Sequence, residues 1–386
     1  MKLSKKKEVE TWVNCPECNI KLKKKHLSTH IKRVHNKKID NTNKKPLEDS
    51  HKKIQENKTP WVISKKIIGL IIIVVVILAF SIFVYYTNND NSSNGQNNST
   101  KNYFVSIEGK ANYSSLHEAI DSASDNDIIF VGSGTYFENI KISKSIELIG
   151  EDKNTTIIDG NGSGVVINIS ADNVKISGFT IRNGGPMSAD ESNAGILIRS
   201  NYNTISDCNI SSNKNYGIYL FSISETRNNI IKNNIFSNNK YGVFTYYAIA
   251  SNISSNTFTY NTDYGIYFGS RSNDNLISDN TFIENNYALR VKTSERNKII
   301  NNLIMNNDYG LFFCCGADNN VVYNNDFINN TNWNADDALS NAYDNGVVGN
   351  YWDDYNGTDA NGDGIGDTPY LENIKNGDNF PLMKPI

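Results

Sequence analysis

Four residues near the N-terminus have the types and the spacing of a zinc site. Cys15 and Cys18 form a C-x2-C pair, His30 follows after eleven intervening residues, and His35 follows after four more. Two thiolates and two imidazoles in this order suit tetrahedral Zn²⁺. A segment this short has no adequate hydrophobic core, so the metal would supply its folding energy. Residues 1–38 are therefore predicted to form a small zinc module.

This pattern resembles a C2H2 zinc finger, although the gap between Cys18 and His30 is one residue short of the usual twelve. The short gap leaves the helix register open and leaves His26 as an alternative ligand. The neighbouring lysines would attract nucleic acid without sequence specificity. Because one finger reads only about three base pairs, we expect a structural or protein-contact module, with DNA binding as the alternative.

A second set of candidate ligands lies near the C-terminus in a D-x-N-x-D-G-x-G-D run. Asp359, Asn361, Asp363 and Asp367 supply oxygen atoms at its positions 1, 3, 5 and 9. Hard oxygen ligands at alternate positions predict a Ca²⁺ site. Position 12 is Tyr370 rather than the bidentate Glu of an EF-hand, so the run is closer to the short calcium loops of extracellular modules. The alternative is an Asp/Gly turn that satisfies its own backbone.

Between these two sets, a repeat organises the chain from about Asn203 to Trp352. Each copy has an aliphatic residue, a polar residue three positions later and an apolar residue two further on, and copies begin 22 to 26 residues apart. The polar column contains Cys208, Asn234, Asn256, Asn280, Asn302, Asn325 and Asn350. A short β-rich repeat of this kind favours a solenoid of parallel strands, one coil per copy. Stacked copies would turn the Asn column into a hydrogen-bonded ladder.

Five copies then carry a tyrosine followed by Gly or Ala. These residues are Tyr216, Tyr241, Tyr264, Tyr287 and Tyr309. We expect them to form one column, and side chains that point outward would give an aromatic ladder able to stack on sugar rings. The alternative is that they brace a turn. The glycine after each tyrosine suits a bend that needs positive φ.

The coils resemble the right-handed parallel β-helix family with the pectin-lyase-like fold, and within it the NosD-like repeat proteins. The resemblance runs from Tyr103 to the C-terminus and includes a capping helix within residues 113–124 and a Gly134-Thr135-Tyr136 turn. It implies an all-β, right-handed parallel β-helix solenoid over residues 103–350 and a C-terminal cap over 351–386. The fold carries lyases, hydrolases, epimerases and inert binding proteins, so it implies no activity.

An enzyme of this fold would need suitably placed carboxylates. Glycoside hydrolysis requires two carboxyl groups about 5 to 9.5 Å apart, and stacked coils lie about 4.8 Å apart. Asp207 and Asp279 are three coils apart and therefore too distant, whereas Asp263 and Asp308, two coils apart, are at the outer limit. A lyase would use a basic residue, but the cluster of Arg290, Lys292, Arg296 and Glu295 is expected to be mixed charge on a turn.

The resemblance to NosD also implies copper, which prefers imidazole, thiolate or thioether ligands. Residues 87–386 contain a single histidine, His117, on the predicted capping helix. Cys314 and Cys315 are adjacent on a predicted strand, so we expect their side chains to face opposite sides. The sequence therefore does not favour copper handling.

Residues 65–86 contain an uninterrupted apolar run long enough to span a bilayer as one helix. Lysines precede it, so the positive-inside rule predicts a cytoplasmic N-terminus and an extracellular β-helix. Residues 39–64 and 87–102 are expected to be a polar linker and a flexible external stalk.

We expect a single-pass membrane protein whose external part binds a surface polysaccharide or a surface protein without catalysis. The alternative is a polysaccharide lyase, hydrolase or epimerase.

Overall fold

A computed structural model describes residues 12–14, 21–23, 100–109, 111–186 and 193–386. Strand β1 (Trp12–Asn14) pairs antiparallel with β2 (Lys21–Lys23). The four predicted zinc ligands and the predicted membrane segment at 65–86 lie outside the described residues, so both remain predictions. Within the described ranges, no helix has the length and apolar character needed to cross a membrane.

From Asn102 onward the chain forms a parallel β-helix. The coil is right-handed and has about 11 turns, and its strands lie in three parallel sheets of 10, 10 and 9 strands. This confirms the all-β solenoid predicted from the repeat.

The first sheet contains β3 (Asn102–Val105), β4 (Ile128–Val131), β7 (Glu147–Gly150), β10 (Lys175–Ser177), β13 (Thr204–Ser206), β16 (Ile230–Lys232), β19 (Asn252–Ser254), β22 (Leu276–Ser278), β25 (Lys298–Ile300) and β28 (Val321–Tyr323). The second contains β5 (Gly134–Tyr136), β8 (Thr156–Asp159), β11 (Thr180–Arg182), β14 (Asn209–Ser211), β17 (Ile235–Ser237), β20 (Thr257–Thr259), β23 (Thr281–Ile283), β26 (Leu303–Met305), β29 (Asp326–Ile328) and β31 (Tyr351–Trp352). The third contains β6 (Ile140–Ile142), β9 (Ile167–Ile169), β12 (Ala194–Ile198), β15 (Tyr216–Arg227), β18 (Tyr241–Ile249), β21 (Tyr264–Phe268), β24 (Tyr287–Lys292), β27 (Tyr309–Cys314) and β30 (Trp333–Asp336).

Identical apolar side chains stack on one another inside the coil. Ile231, Ile253 and their equivalents pair in register along the first sheet and are fully buried. In the second sheet the ring of Phe258 stacks on those of Phe236 and Phe282, with centroids 4.8 and 4.9 Å apart. A single coil has one apolar interior with nothing above or below it, so the core exists only because the coils repeat.

Asparagine ladders run along the corners where the sheets meet. In the predicted ladder, the Nδ2 of Asn256 donates to Asn280 Oδ1 at 3.0 Å, and the Nδ2 of Asn280 donates to Asn302 Oδ1 at 3.1 Å. The sequence reasoning missed two further ladders at the other corners, which contain Asn213, Asn239, Asn261, Asn285, Asn307 and Asn330, and Asn275, Asn297, Asn320 and Asn341. Most residues that precede a ladder asparagine take positive φ, as at Asp279 (57°) and Asn301 (56°). Such a corner combines a left-handed residue with a side-chain amide that hydrogen-bonds to the neighbouring coils.

The glycines that follow the tyrosines were expected at bends with positive φ, and this expectation is wrong. Gly217, Gly242 and Gly265 lie inside strands, and positive φ occurs at other glycines. The reason for glycine is close approach between coils. A Cβ on Gly242 would lie 2.5 Å from the carbonyl oxygen of Gly265 and 2.7 Å from a ring carbon of Phe258.

Both ends of the β-helix are covered. Helix α1 (Leu116–Ser122) begins after Ser115, whose hydroxyl accepts a hydrogen bond from the His117 amide, and it buries Leu116, Ala119 and Ile120. The predicted capping helix is thus confirmed. The predicted turn at 134–136 is wrong, because these residues form strand β5.

At the C-terminal end, the last segment continues the stacks of the solenoid. The ring of Trp352 stacks on Phe327 at 4.4 Å and on Tyr370 at 4.3 Å. Asp378 ends the predicted asparagine ladder, because its Oδ2 accepts from the Asn350 amide at 2.7 Å and from Trp352 Nε1 at 2.9 Å. The cap therefore supplies the partners that one more coil would have supplied.

Candidate functional site

The outer face of the third sheet carries two columns of aromatic rings, which together we call the aromatic face. The five predicted tyrosines pair strand to strand in one column, which Trp333 continues. The second column contains Tyr219, Phe244, Tyr267, Arg290 and Phe312. Between the columns, Ile218, Val243 and their equivalents point into the core. The predicted tyrosine column therefore exists, and the sequence reasoning missed the second one beside it.

The rings in each column are packed against one another. Tyr241 and Tyr264 stack at 5.5 Å, and Tyr287 and Tyr309 stack at 4.3 Å. Rings of the two columns meet edge to face, with an 80° angle between Tyr264 and Tyr267. Such contacts stabilise the sheet and cover much of each ring face. The tyrosines thus brace the solenoid, and all of them except the buried Tyr216 are half-buried.

Arg290 occupies a place in the second column where a ring would otherwise stand. Its guanidinium lies 5.1 Å from the ring centroid of Tyr267 and 5.3 Å from that of Phe312, a cation–π arrangement. Its Nη1 donates to the Tyr264 hydroxyl at 2.9 Å and its Nη2 to the Cys314 sulfur at 3.3 Å. Its Nε is buried without a hydrogen-bond partner among the described residues. The aromatic face thus contains one fixed positive charge.

The tyrosine column leads into a cleft of about 490 Å³ at the C-terminal cap. Its lining residues include Trp333, Tyr355, Asp354 and Glu372, together with Asn332, Asn334, Asn356 and Asn373. Asp354 is held from both sides, because its Oδ1 accepts from Asn334 at 3.1 Å and its Oδ2 accepts from the Tyr370 hydroxyl at 3.2 Å. Burial, followed by the nearby charge of Asp354, raises the pKa of Tyr370, so this tyrosine remains a hydrogen-bond donor.

The predicted calcium loop forms a turn whose side chains bond to its own backbone. Asp359 Oδ1 accepts from the amides of Gly362 at 2.7 Å and Asp363 at 3.1 Å. Asp367 Oδ2 accepts from the Ala360 amide at 2.8 Å. Asn361 Nδ2 donates to Asp363 Oδ2 at 2.9 Å, which brings two predicted ligands together. In the described parts of the chain, no group of three or more His, Cys, Asp or Glu is arranged to hold a metal, so calcium remains a prediction.

Three of the four carboxylates considered for catalysis have structural environments, and the fourth, Asp308, is exposed. Asp207 and Asp279 are left-handed corner residues, with φ of 54° and 57°. Asp263 lies 3.7 Å from Lys240 Nζ in an ion pair. The basic cluster was expected on a turn, and this is wrong for two of its members. Arg296 is a corner residue paired with Asp274 at 2.7 Å, whereas Arg290 and Lys292 belong to strand β24.

Cys314 and Cys315 were expected to face opposite sides of a strand, and this is wrong. The strand ends at Cys314, and Cys315 takes a φ of 62°, which brings the two sulfur atoms to 3.0 Å from each other. Burial raises the pKa of Cys314, while the charge of Arg290 acts in the opposite direction. His117 is exposed on α1 beside Asp121, at the other end of the solenoid. With no imidazole near the thiols and no third ligand in the described ranges, these residues do not fit a copper site.

Comparisons with known proteins agree with this architecture. The model of the family described as "Right handed beta helix region" matches residues 126–282, and that of "Periplasmic copper-binding protein (NosD)" matches residues 221–357. No curated protein matches the chain.

Solved structures with a similar fold have low sequence identity. XylC in complex with xylose is 12% identical, with a TM-score of 0.52 over 62% of this chain and 67% of that chain. The PL6 family alginate lyase AlyGC is 16% identical, with a TM-score of 0.47 over 65% of this chain and 38% of that chain. The A-module of the Azotobacter vinelandii mannuronan C-5 epimerase AlgE4 is 14% identical, with a TM-score of 0.42 over 58% of this chain and 76% of that chain. At these identities the likeness shows the fold alone, and the chain carries a right-handed β-helix similar to the NosD repeat.

Proposed function

We propose that this chain is a cell-surface β-helix that binds a polysaccharide at the aromatic face and in the cleft at its end, without cleaving it. The observation that carries the proposal is the cleft itself. It joins the half-buried end of an aromatic column to several amide and carboxylate groups, and small-molecule sites typically combine aromatic walls with a few convergent polar groups.

Trp333 is the central residue of this proposal. It is the last member of its column on the last strand of the third sheet, and its ring is tilted by 52° from that of Tyr309. Rings within the column have neighbours on both faces, whereas Trp333 borders the cleft. A sugar ring placed there would stack on the indole. The surrounding amides and the oxygens of Asp354 and Glu372 would bond its hydroxyl groups.

The aromatic face extends this site along the solenoid. Tyrosine hydroxyls at intervals of one coil, about 4.8 Å, offer a regular series of donors and acceptors to an extended chain. Arg290 adds a positive charge that would favour sugars carrying a carboxylate or sulfate group.

The proposed location follows from the remaining sequence predictions. Residues 65–86 would anchor the protein in the membrane, with the zinc module at 1–38 in the cytoplasm and the β-helix outside. The NosD family description names periplasmic proteins, which supports a location beyond the cytoplasmic membrane.

A polysaccharide-acting enzyme is the second candidate, and one observation favours it. Asp354 and Glu372 line the same cleft as Trp333, as an acid and base of a hydrolase, lyase or epimerase would. Against this, both oxygens of Asp354 accept hydrogen bonds from the protein, which favours a fixed carboxylate over one that must gain and lose a proton.

The test measures retention and product release on the same samples. The full-length protein is incubated with a panel of neutral and acidic polysaccharides, beside a Trp333→Ala variant and a Phe137→Ala control. Phe137 is an exposed aromatic residue outside the aromatic face. We expect retention without new reducing ends or unsaturated sugars, and an affinity loss of about tenfold or more for Trp333→Ala alone. Released products that disappear in Asp354→Asn would instead establish the enzyme.

A further inference from the structure

We propose that Cys314 and Cys315 form a two-sulfur site that captures a neutral trivalent thiophilic centre, with an organic arsenical as its chemical type. This inference does not rest on polysaccharide binding. The two thiols lie at the end of β27, where the backbone turns through two successive left-handed residues, Cys315 at a φ of 62° and Gly316 at 79°. This turn places both sulfur atoms on one side of the chain.

The site is open to a reagent. Cys315 is exposed and Cys314 is half-buried, and a Cβ placed on the neighbouring Gly316 would have no other atom within 4 Å. Cys208, by contrast, is fully buried in the core. Within the β-helix, Cys314 and Cys315 are therefore the thiols that an added reagent can reach.

The distance between the two sulfur atoms favours a pyramidal trivalent atom over a tetrahedral metal ion. Sulfurs 3.0 Å apart subtend about 81° at an atom 2.3 Å from each, the Zn–S distance. A tetrahedral ion needs about 109°, which would separate the sulfurs by about 3.8 Å at the same bond length. A pyramidal trivalent centre with a lone pair bonds at nearly right angles and fits the pair as it stands.

A disulfide fits less well. It would require an S–S distance of about 2.05 Å and usually at least about 4.4 Å between the Cα atoms. Adjacent residues joined by a trans peptide have Cα atoms about 3.8 Å apart. Ring closure would therefore strain the peptide, whereas chelation leaves the sulfur spacing of 3.0 Å nearly unchanged.

The positive charge of Arg290 disfavours a divalent cation at the two sulfur atoms. Its Nη2 lies 3.3 Å from the Cys314 sulfur, and within the described residues no carboxylate pairs with it at ion-pair distance. A fixed guanidinium repels a divalent cation bound at the same sulfur. A neutral arsenic centre carries no such penalty.

The capture step is balanced without oxidation or reduction. An organic arsenic(III) oxide reacts with the two thiols so that two As–S bonds form and the As=O bond breaks. The two thiol protons leave with the oxygen atom as one molecule of water. No oxidant or cofactor is needed.

The experiment uses the full-length protein carrying Cys15→Ser and Cys18→Ser, so that the N-terminal thiols do not react. Reduced protein is treated with phenylarsine oxide, and bound arsenic is measured by intact mass beside the number of titratable thiols. We expect one arsenic per chain, the loss of two titratable thiols, release by a dithiol and little release by a monothiol. Cys314→Ser and Cys315→Ser should each bind at least a hundredfold more weakly, while Cys208→Ser behaves as the parent.

Each other result counts against the site. Failure of the reduced parent to bind arsenic would overturn the proposal, and so would undiminished binding in either single-serine variant. Far-ultraviolet circular dichroism of each variant checks that it is folded, and Cys315→Ser, at an exposed position, provides the safest comparison. Protection of the thiols by Zn²⁺ at the same concentration would contradict the selectivity that the sulfur spacing and Arg290 impose.

Discussion

The raised pKa of Asp378 predicts how the free energy of unfolding changes with pH. The side chain is fully buried at the end of the asparagine ladder. Its Oδ2 accepts from the Asn350 backbone amide at 2.7 Å and from Trp352 Nε1 at 2.9 Å. Its Oδ1 accepts from the Phe380 backbone amide at 3.0 Å. Burial raises its pKa to about 6 from 3.8, against the lowering effect of these donors. The perturbation we consider is Asp378→Asn, which keeps the shape and removes the charge.

A carboxyl group with a raised pKa in the folded state stabilises the protein most at low pH. The folded protein holds the proton of Asp378 between pH 3.8 and about 6, where the unfolded chain has lost it, so the stabilisation disappears as pH rises through 6. From pH 7 to pH 5 this linkage adds about 1.3 kcal/mol to the free energy of unfolding. Asparagine does not titrate, and at pH 7 its loss of the bond from Phe380, about 1 kcal/mol, is offset by removal of a buried charge.

The assay is urea unfolding of the wild-type protein and of Asp378→Asn at pH 7 and pH 5. The groups that both proteins share cancel in the comparison, so the wild type should gain about 1.3 kcal/mol over the variant on going to pH 5. A stability difference that stays constant across this range would refute the raised pKa. Asp378→Ala, which leaves three buried donors without an acceptor, should cost at least about 3 kcal/mol at either pH.

Three further predictions concern the coil and the calcium loop. Gly242→Ala should destabilise the protein by about 1 to 3 kcal/mol in urea unfolding because its Cβ would meet the next coil, and an unchanged midpoint would contradict the close-approach argument. Asn280→Ala should cost about 2 to 5 kcal/mol because it breaks the ladder on both sides, whereas the control Asn301→Gly, at an exposed corner position whose φ of 56° glycine accepts, should cost far less. Added Ca²⁺ should raise the thermal midpoint of the wild type but not of Asp359→Ala, and equal behaviour of the two would leave the loop as a turn without calcium.

Features that repeat with the coil could be predicted from the sequence. The predicted asparagine column aligns as a ladder because every coil places the same residue at the same corner, and the period alone fixes that alignment. The capping helix was equally accessible, since Ser115 and the apolar spacing of Leu116, Ala119 and Ile120 are local signals. The role of the glycines after the tyrosines could not be predicted from the sequence. Glycine is used both where φ is positive and where two backbones approach closely, and only the packing between coils distinguishes these two reasons.

Features outside the period could not be found in this way. The cleft brings Trp333 together with Asp354 and Glu372, and the returning C-terminal segment that does so carries no repeat. Asp378 takes the place of a ladder asparagine 28 residues after Asn350, outside the usual step. The close approach of the two adjacent thiols depends on the left-handed backbone conformation of Cys315, which the surrounding sequence does not predict.

The most direct test of polysaccharide binding is an affinity measurement of the full-length protein and Trp333→Ala against the polysaccharide that the wild type retains best. We expect the variant to bind at least about tenfold more weakly, the Phe137→Ala control to match the wild type, and no new reducing ends or unsaturated sugars in any sample. Equal affinity of wild type and Trp333→Ala would contradict the assignment of the cleft, and products released by the wild type would contradict a purely binding role.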